Sequence, residues 1–304
     1  MRTRATIGKR VRSRYAMGVS QRGLRDMSGR RVKIGDVWDR TVAVLQGRAG
    51  ILAGIALLFI LLPGVVGNAV SAFGGIAPGA RALAGLVSLA VTLLLLVGIL
   101  AVTAVASDPG IDRATGIGIG VRRLGPAIAC IAVLMLAAVL VLLPLSYIVF
   151  SSGATYNTAT GRIQVQNASA GGVVLAGVLS IVLALAGLWI SARLVPLFAV
   201  VVNERLGLRA ITRSFALTRG ATLRLIGVLL LYLVVLGVLF VAVTSVVGVV
   251  AGLLLGGEAT AANVFVLAVV GSVLTTITST VQMAFYAQYY VAARADDGGA
   301  PAAA

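Results

Sequence analysis

Arg205, Arg209 and Arg213 recur at four-residue steps, a spacing that stacks three guanidinium groups along one side of a helix, and Arg219 and Arg224 follow. A guanidinium binds phosphate oxygens through two parallel hydrogen bonds. Five of them beside the apolar Leu208, Ile211 and Phe215 therefore make a surface suited to the phosphates of anionic lipids. The same charges also serve as a topology signal that holds a loop on one side of a membrane. Arg193 is a sixth candidate for lipid-phosphate binding and the only charge inside a hydrophobic run. If its helix enters the bilayer at Gly172, about twenty residues carry it across, and Arg193 snorkels at the far interface. If the helix is centred on residues 182–202, Arg193 sits midway, at a cost of ~2.5–3.5 kcal/mol, and needs a partner. Gln282 and Tyr286 are candidates for that partner, and Pro196 frees a backbone carbonyl that a guanidinium could bind.

The last apolar stretch carries Ser272, Thr275, Thr276, Thr278, Ser279, Thr280 and Gln282. Thr276, Ser279, Gln282 and Tyr286 make up a candidate polar path through the membrane. The alternative is that these hydroxyls bond back to their own helix or hold neighbouring helices together. Other chemistry is excluded by what the chain lacks. It has no histidine and only nine acidic residues, all in loops or tails. Histidine acid–base catalysis, Ser-His-Asp chemistry and most metallohydrolase centres need groups that are missing here. Proton- or cation-coupled transporters usually carry an intramembrane carboxylate as the coupling site, and none is present here. No nucleophile–base pair can be assembled, so the expectation is a protein that is not an enzyme and holds no metal or cofactor. Cys130 reads as a small apolar residue within its run. Gly116–Gly120, GIGIG, lacks the preceding strand and the lysine of a nucleotide site. Gly50 and Gly54, and Gly248, Gly252 and Gly256, have the spacing of close helix packing.

The elements that must position these residues are membrane spans. Hydrophobic residues make up 60% of the chain and charged residues 11%, against roughly 25% charged in soluble domains. Apolar runs cover about Ala49–Val70, Ala82–Ala106, Pro126–Phe150, Gly172–Val202, Leu225–Leu255 and Val264–Tyr290. Each is long enough to cross the ~30 Å hydrocarbon layer as a helix. The fold class is therefore all-α, a polytopic membrane protein of six helices. Residues 1–48 hold eleven Arg and two Lys against three Asp. Loops 107–125 and 203–224 are basic, and the alternate loops carry only Arg81 and Arg162. That asymmetry puts both termini in the cytoplasm. The arginine-rich bias, 23 Arg to 2 Lys, fits a GC-rich bacterial genome and hence the bacterial cytoplasmic (inner) membrane. Residues 1–32 read as a basic cytoplasmic arm, residues 33–293 as the membrane domain and residues 294–304 as a disordered tail. Met17 and Met27 are alternative starts. The arm either is disordered or is drawn to anionic lipid, and with one aromatic residue it offers nothing for nucleic acid. No cleavable leader is visible. Asn167-Ala-Ser169 matches a glycosylation sequon, by chance in a bacterial chain.

Two amphipathic helices lead into spans. Ile34, Val37, Trp38, Thr41, Val42 and Leu45 share one face, with Asp36, Asp39 and Gln46 opposite. Leu208, Ile211 and Phe215 form the apolar face of a second, beside the arginine stripe. The two align at an offset of 173 residues, pairing Arg40 with Arg213, Thr41 with Ser214, Gly47 with Gly220 and Gly54 with Gly227. A fainter third copy places Ala114, Ile117, Val121 and Leu124 before Gly125. The unit is an interfacial helix, a span, a short loop and a return span, which makes a parallel repeat of helical hairpins. Tyr286, Tyr289 and Tyr290 read as an aromatic belt at the end of the last span.

Three stretches, IGDVWDRTVAVLQGRAGILAG, ARLVPLFAVVVNERLGLRAITRSFALTRGATLRLIGVLLL and YAQYYVAARADDG, resemble a group of bacterial six-helix membrane proteins. The group includes the membrane domain fused ahead of some glycerophosphodiester phosphodiesterases. The resemblance covers most of residues 33–299 through loose motifs, and implies this kind of fold with no established chemistry. The phosphodiesterase reaction needs histidine and acidic metal ligands that this chain lacks. The leading expectation is a non-catalytic membrane protein that binds anionic lipids or a protein partner, or self-associates, in envelope organisation. The alternative is a permease or a lipid or small-molecule translocator.

Overall fold

A computed structural model describes residues 32–73, 78–151, 154–157, 162–165, 170–255 and 261–298. The basic arm, apart from Val32, lies outside them, as do Asn167–Ser169, Gly256 and the tail beyond Gly298. The chain begins with α1 (Ile34–Gly47) and α2 (Ala49–Ala56), continues through a π-helical turn at Leu57–Leu61, and enters α3 (Leu62–Phe73). The π turn lies just before Pro63, which has no N–H for a regular α bond. There follow α4 (Pro78–Ser107), α5 (Arg113–Ser151), a hairpin of β1 (Ala154–Asn157) and β2 (Arg162–Val165), and α6 (Ala170–Leu194). The chain ends with α7 (Leu197–Glu204), α8 (Arg209–Leu217), α9 (Thr222–Leu255) and α10 (Ala261–Asp296). Among the described residues, six stretches are long and apolar enough to cross a membrane: Ala49–Val70, Ala82–Ser107, Arg113–Pro144, Gly177–Glu204, Thr222–Leu254 and Ala262–Asp296. The six-helix, all-α expectation stands. The antiparallel hairpin, in which Ala154 pairs with Val165, is an addition to it. Its signal lies in the alternation of ATYN and RIQV around turn-forming residues.

Burial is concentrated at one end of the bundle. Three clusters there join the start of α2, the end of α4, the start of α5, the α6–α7 junction, the start of α9 and the end of α10. Leu100, Ala127, Val200 and Tyr290 meet in one of them, and Leu52, Val102 and Met283 in another. Toward the other end, leucines and valines such as Leu136, Leu140, Val178, Val182, Val249 and Leu253 point outward. Water would penalise such a surface, whereas hydrocarbon is as apolar as the side chains themselves. The packed end is also where the arginines of the described residues gather, apart from Arg81 and Arg162.

The two strong copies of the lead-in keep the expected form. In the first, α1 breaks at Arg48 before α2, and in the second α8 turns through Thr218–Ala221 before α9. The third does not, because α5 runs unbroken through Gly125. In its first turns the buried residues are Gly116, Gly120, Ala127 and Cys130, not Ala114, Val121 and Leu124. GIGIG is a packing seam. A Cβ on Gly116 would lie 2.6 Å from Val105, and one on Gly120 would lie 2.8 Å from the carbonyl oxygen of Val97. Only glycine lets α5 approach α4 so closely. Gly50 and Gly54 form no such seam: a Cβ on Gly50 meets nothing, and one on Gly54 meets the Arg113 guanidinium at 3.1 Å.

Candidate functional site

The six candidate arginines separate into two groups. Arg193 ends α6, where the chain breaks before Pro196. Its Nη1 donates to the carbonyl of Phe215 at 3.0 Å, and its guanidinium lies 5.0 Å from the Trp189 ring and 5.9 Å from the Phe215 ring. In return, Ser214 Oγ donates to the carbonyl of Arg193 at 2.8 Å. The partners suggested from sequence, Gln282 and Tyr286, bond to each other instead, at 2.6 Å. Arg193 is thus a clamp that fastens α8 onto the α6–α7 junction, beside a helix that lies outside the six apolar stretches.

Arg213 is the second clamp. Its Nε meets Glu204 Oε2 at 3.1 Å and its Nη1 meets Asp297 Oδ2 at 2.7 Å. The bond to Asp297, with Glu204 beside it, raises the Arg213 pKa further above its ordinary value. Glu204 also accepts a hydrogen bond from Tyr290 at 3.1 Å, and Tyr290 accepts one from Arg294 at 3.2 Å. This chain of bonds joins α7, α8 and α10. Tyr290, and Tyr289 beside it, are buried. They are core residues and do not belong to an aromatic belt, because α1 and α8 cover the end of α10. The link from Tyr290 to Arg294 follows the four-residue spacing of one helix face and was readable in the sequence. Glu204, Asp297 and Arg213 are far apart in sequence, and nothing local pairs them.

Arg205, Arg209, Arg219 and Arg224 are exposed and, among the described residues, form no ion pair. They do not form one helical stripe. Arg205 has a left-handed backbone (φ 55°) that ends α7, so α8 starts after it. The buried face of α8 is Ala210 and Ser214, not the apolar Leu208, which is exposed. Small residues face inward because Ser214 must reach the Arg193 carbonyl. Arg205 and Arg209 therefore stand at one end of α8, and Arg219 and Arg224 flank Gly220 at the other. Arg123 of α5 is near enough to Arg205 for the two like charges to oppose each other.

Sequence reading also missed Arg48. Its Nη1 donates to the carbonyls of Val105 (2.6 Å) and Asp108 (2.8 Å), and its Nη2 donates to that of Ile111. Gln288 Nε2 donates to the carbonyl of Ala106 at 2.6 Å. Together they bind the Val105 and Ala106 carbonyls in the last turn of α4 and the Asp108 and Ile111 carbonyls of the turn that leads to α5.

The candidate polar path is divided by α10. Thr276 faces a crevice of about 550 Å³ between α3, α4 and α10, with Asn68, Ser88, Thr92, Ser272 and Thr275. Ser279 and Gln282 face a separate groove of about 400 Å³ between α9 and α10, beside Tyr232. Tyr286 lines neither, and lies with Gln282 in a small recess under Trp38. Ser272, Thr276, Thr278 and Thr280 each donate to the carbonyl four residues back, at 2.7–2.9 Å. Among the described residues no group of three or more His, Cys, Asp or Glu comes together as a metal site. No protein-family model, no curated protein and no solved structure matches this chain.

Proposed function

We propose that this membrane-spanning chain is a non-catalytic protein that binds anionic lipid headgroups at its basic end, in a bacterial cytoplasmic membrane with both termini cytoplasmic. The observation that carries the reading is the exposed set Arg205, Arg209, Arg219 and Arg224 at the two ends of α8. Arg193 and Arg213 are spent on internal contacts, whereas these four keep their hydrogen-bond donors for an outside ligand. A phosphate between Arg205 and Arg209 would also relieve the repulsion from Arg123. The resemblance to a membrane domain without chemistry of its own points the same way.

The test is a native mass spectrum of the protein taken from its own membrane in mild detergent. Anionic lipid should stay bound through gentle activation. Replacing Arg205, Arg209, Arg219 and Arg224 by Gln should lower that retention about tenfold, worth about 1.4 kcal/mol. Helix content should not change, because none of the four side chains holds the fold. Equal retention in the variant would reduce these arginines to a topology signal. A lipid-free protein carrying a second polypeptide would instead make this end a docking surface for a partner.

A further inference from the structure

Asn68 is a strongly polar side chain placed in an apolar span, and the fold uses it to join the first span to the last. Its Nδ2 donates to Ser272 Oγ at 2.8 Å and to the Ala268 carbonyl at 3.3 Å. Ser88 and Thr92 approach from α4, and Thr275 and Thr276 from α10, so polar groups of three helices converge on the 550 Å³ crevice. That volume lies within the ~300–1,000 Å³ of small-molecule sites. The crevice lies in the half of the bundle away from the basic end, beside the outward-pointing apolar side chains. Its glycines are not forced by packing: a Cβ on Gly64, Gly67 or Gly271 would meet its nearest neighbour at an ordinary 3.5–3.6 Å. Their absent side chains leave space in the crevice and are not needed for helix contact.

We propose that this crevice binds a neutral lipid carrying a free hydroxyl, of the diacylglycerol type, taken up from the bilayer. None of the described lining residues is charged, so none of them balances a phosphate. Three of the five lining hydroxyls have their protons committed to helix carbonyls. Thr92 donates to the Ser88 carbonyl at 2.8 Å, Thr276 to the Ser272 carbonyl at 2.7 Å and Ser272 to the Ala268 carbonyl at 2.9 Å. The oxygens of Thr92 and Thr276 keep lone pairs but offer no proton. Among the described residues no such donation is seen for Ser88 or Thr275, so a ligand hydroxyl can donate to Thr92 or Thr276 while accepting from Ser88 or Thr275, whereas an ester oxygen can only accept. Ile60, Val91 and Leu95 provide apolar wall for the acyl chains.

The full-length protein in phosphatidylcholine nanodiscs, with a diacylglycerol bearing a photoactivatable diazirine in one acyl chain, supplies the test. Labelling should be saturable and confined to residues 60–70, 84–95 and 267–276. Unlabelled diacylglycerol should compete about tenfold better than its 3-O-acetyl derivative, which has lost the donor hydrogen. Ser88 is exposed on the helix surface, so Ser88→Phe fills the crevice without disturbing a packed contact and should abolish saturable labelling. Ser88→Ala and the remote Leu140→Phe should leave it intact, and Thr92→Leu provides a second filling variant. Scattered, unsaturable labelling overturns the proposal, as does labelling indifferent to both filling variants. Equal competition by the acetylated lipid would mean that the occupant is ordinary bilayer lipid. Labelling should persist when Arg205, Arg209, Arg219 and Arg224 are Gln, which separates this site from the basic end.

Discussion

Single arginines do different work in this molecule, and their neighbours decide which. Arg48, Arg193 and Arg213 each bind groups of the protein itself, and each joins elements distant in sequence. Arg48 is the strongest case, because one planar fork serves three carbonyls of the turn from α4 to α5. Charge-assisted bonds of this kind are worth ~1.5–3 kcal/mol each in favourable settings, and partial exposure places the whole group near the low end. Arg48→Ala should therefore cost about 2–3 kcal/mol and lower the thermal midpoint of the detergent-solubilised protein. Arg48→Lys should recover only part of the loss, since an ammonium is a point charge that cannot reproduce the fork. A midpoint unchanged in Arg48→Ala would show that water replaces the guanidinium at no cost. Arg209→Gln, on the exposed set, should move the midpoint by less than about 0.5 kcal/mol equivalent.

At the scale of elements, contact distance is set by the smallest residues on each helix. α5 crosses α4 through Gly116 and Gly120, and α4 answers with Gly98, where a Cβ would lie 2.7 Å from Phe59 in the π turn. Gly118, on another side of α5, has nothing within 4 Å. The pair makes a controlled test. Gly120→Ala should destabilise by about 1–3 kcal/mol, because the obstacle is the backbone of α4 and cannot rotate away. Gly118→Ala should be neutral or stabilising, since alanine is favoured over glycine inside a helix by up to about 1 kcal/mol. Equal unfolding midpoints for the two variants would contradict the seam. The glycines were visible in the sequence, and so was the fact that they form no nucleotide loop. Which glycine pairs face a neighbour was not visible, since Gly50 and Gly54 have the same spacing and form no seam.

At the scale of the whole molecule, packing is dense at the basic end and open at the other. The basic end carries Arg40, Arg48, Arg122, Arg123 and the arginines around α8, and the positive-inside bias predicts that it faces the cytoplasm. Cysteine accessibility in a Cys130→Ala background checks this. Thr212→Cys on α8 should react with a membrane-impermeant maleimide only after the membrane is permeabilised. Asn157→Cys in the hairpin should react from outside in intact cells. The opposite pattern would invert the molecule and move the proposed anionic-lipid site to the outer leaflet.

Hydropathy along the chain was enough to locate six spans and the two lead-in helices, because a spanning helix satisfies its backbone internally and its hydropathy depends only on local composition. The face of α1 was equally legible: Val37 and Thr41 are buried, and Asp36, Asp39 and Gln46 are exposed. Faces inside the membrane were not. A leucine against lipid and a leucine against a neighbouring helix have the same hydropathy, so sequence cannot tell Leu100 from Leu140. The polar residues follow the same division. Thr276 and Ser279 share one apparent stripe until α3, α4 and α9 place them in different grooves. Arg213 and Arg209 share a stripe until Glu204 and Asp297 take up one of them. Composition determined what the chain is dissolved in. Tertiary contacts decided which polar groups are spent within the fold and which remain for a ligand, because those partners are far apart in sequence and meet only when the helices pack.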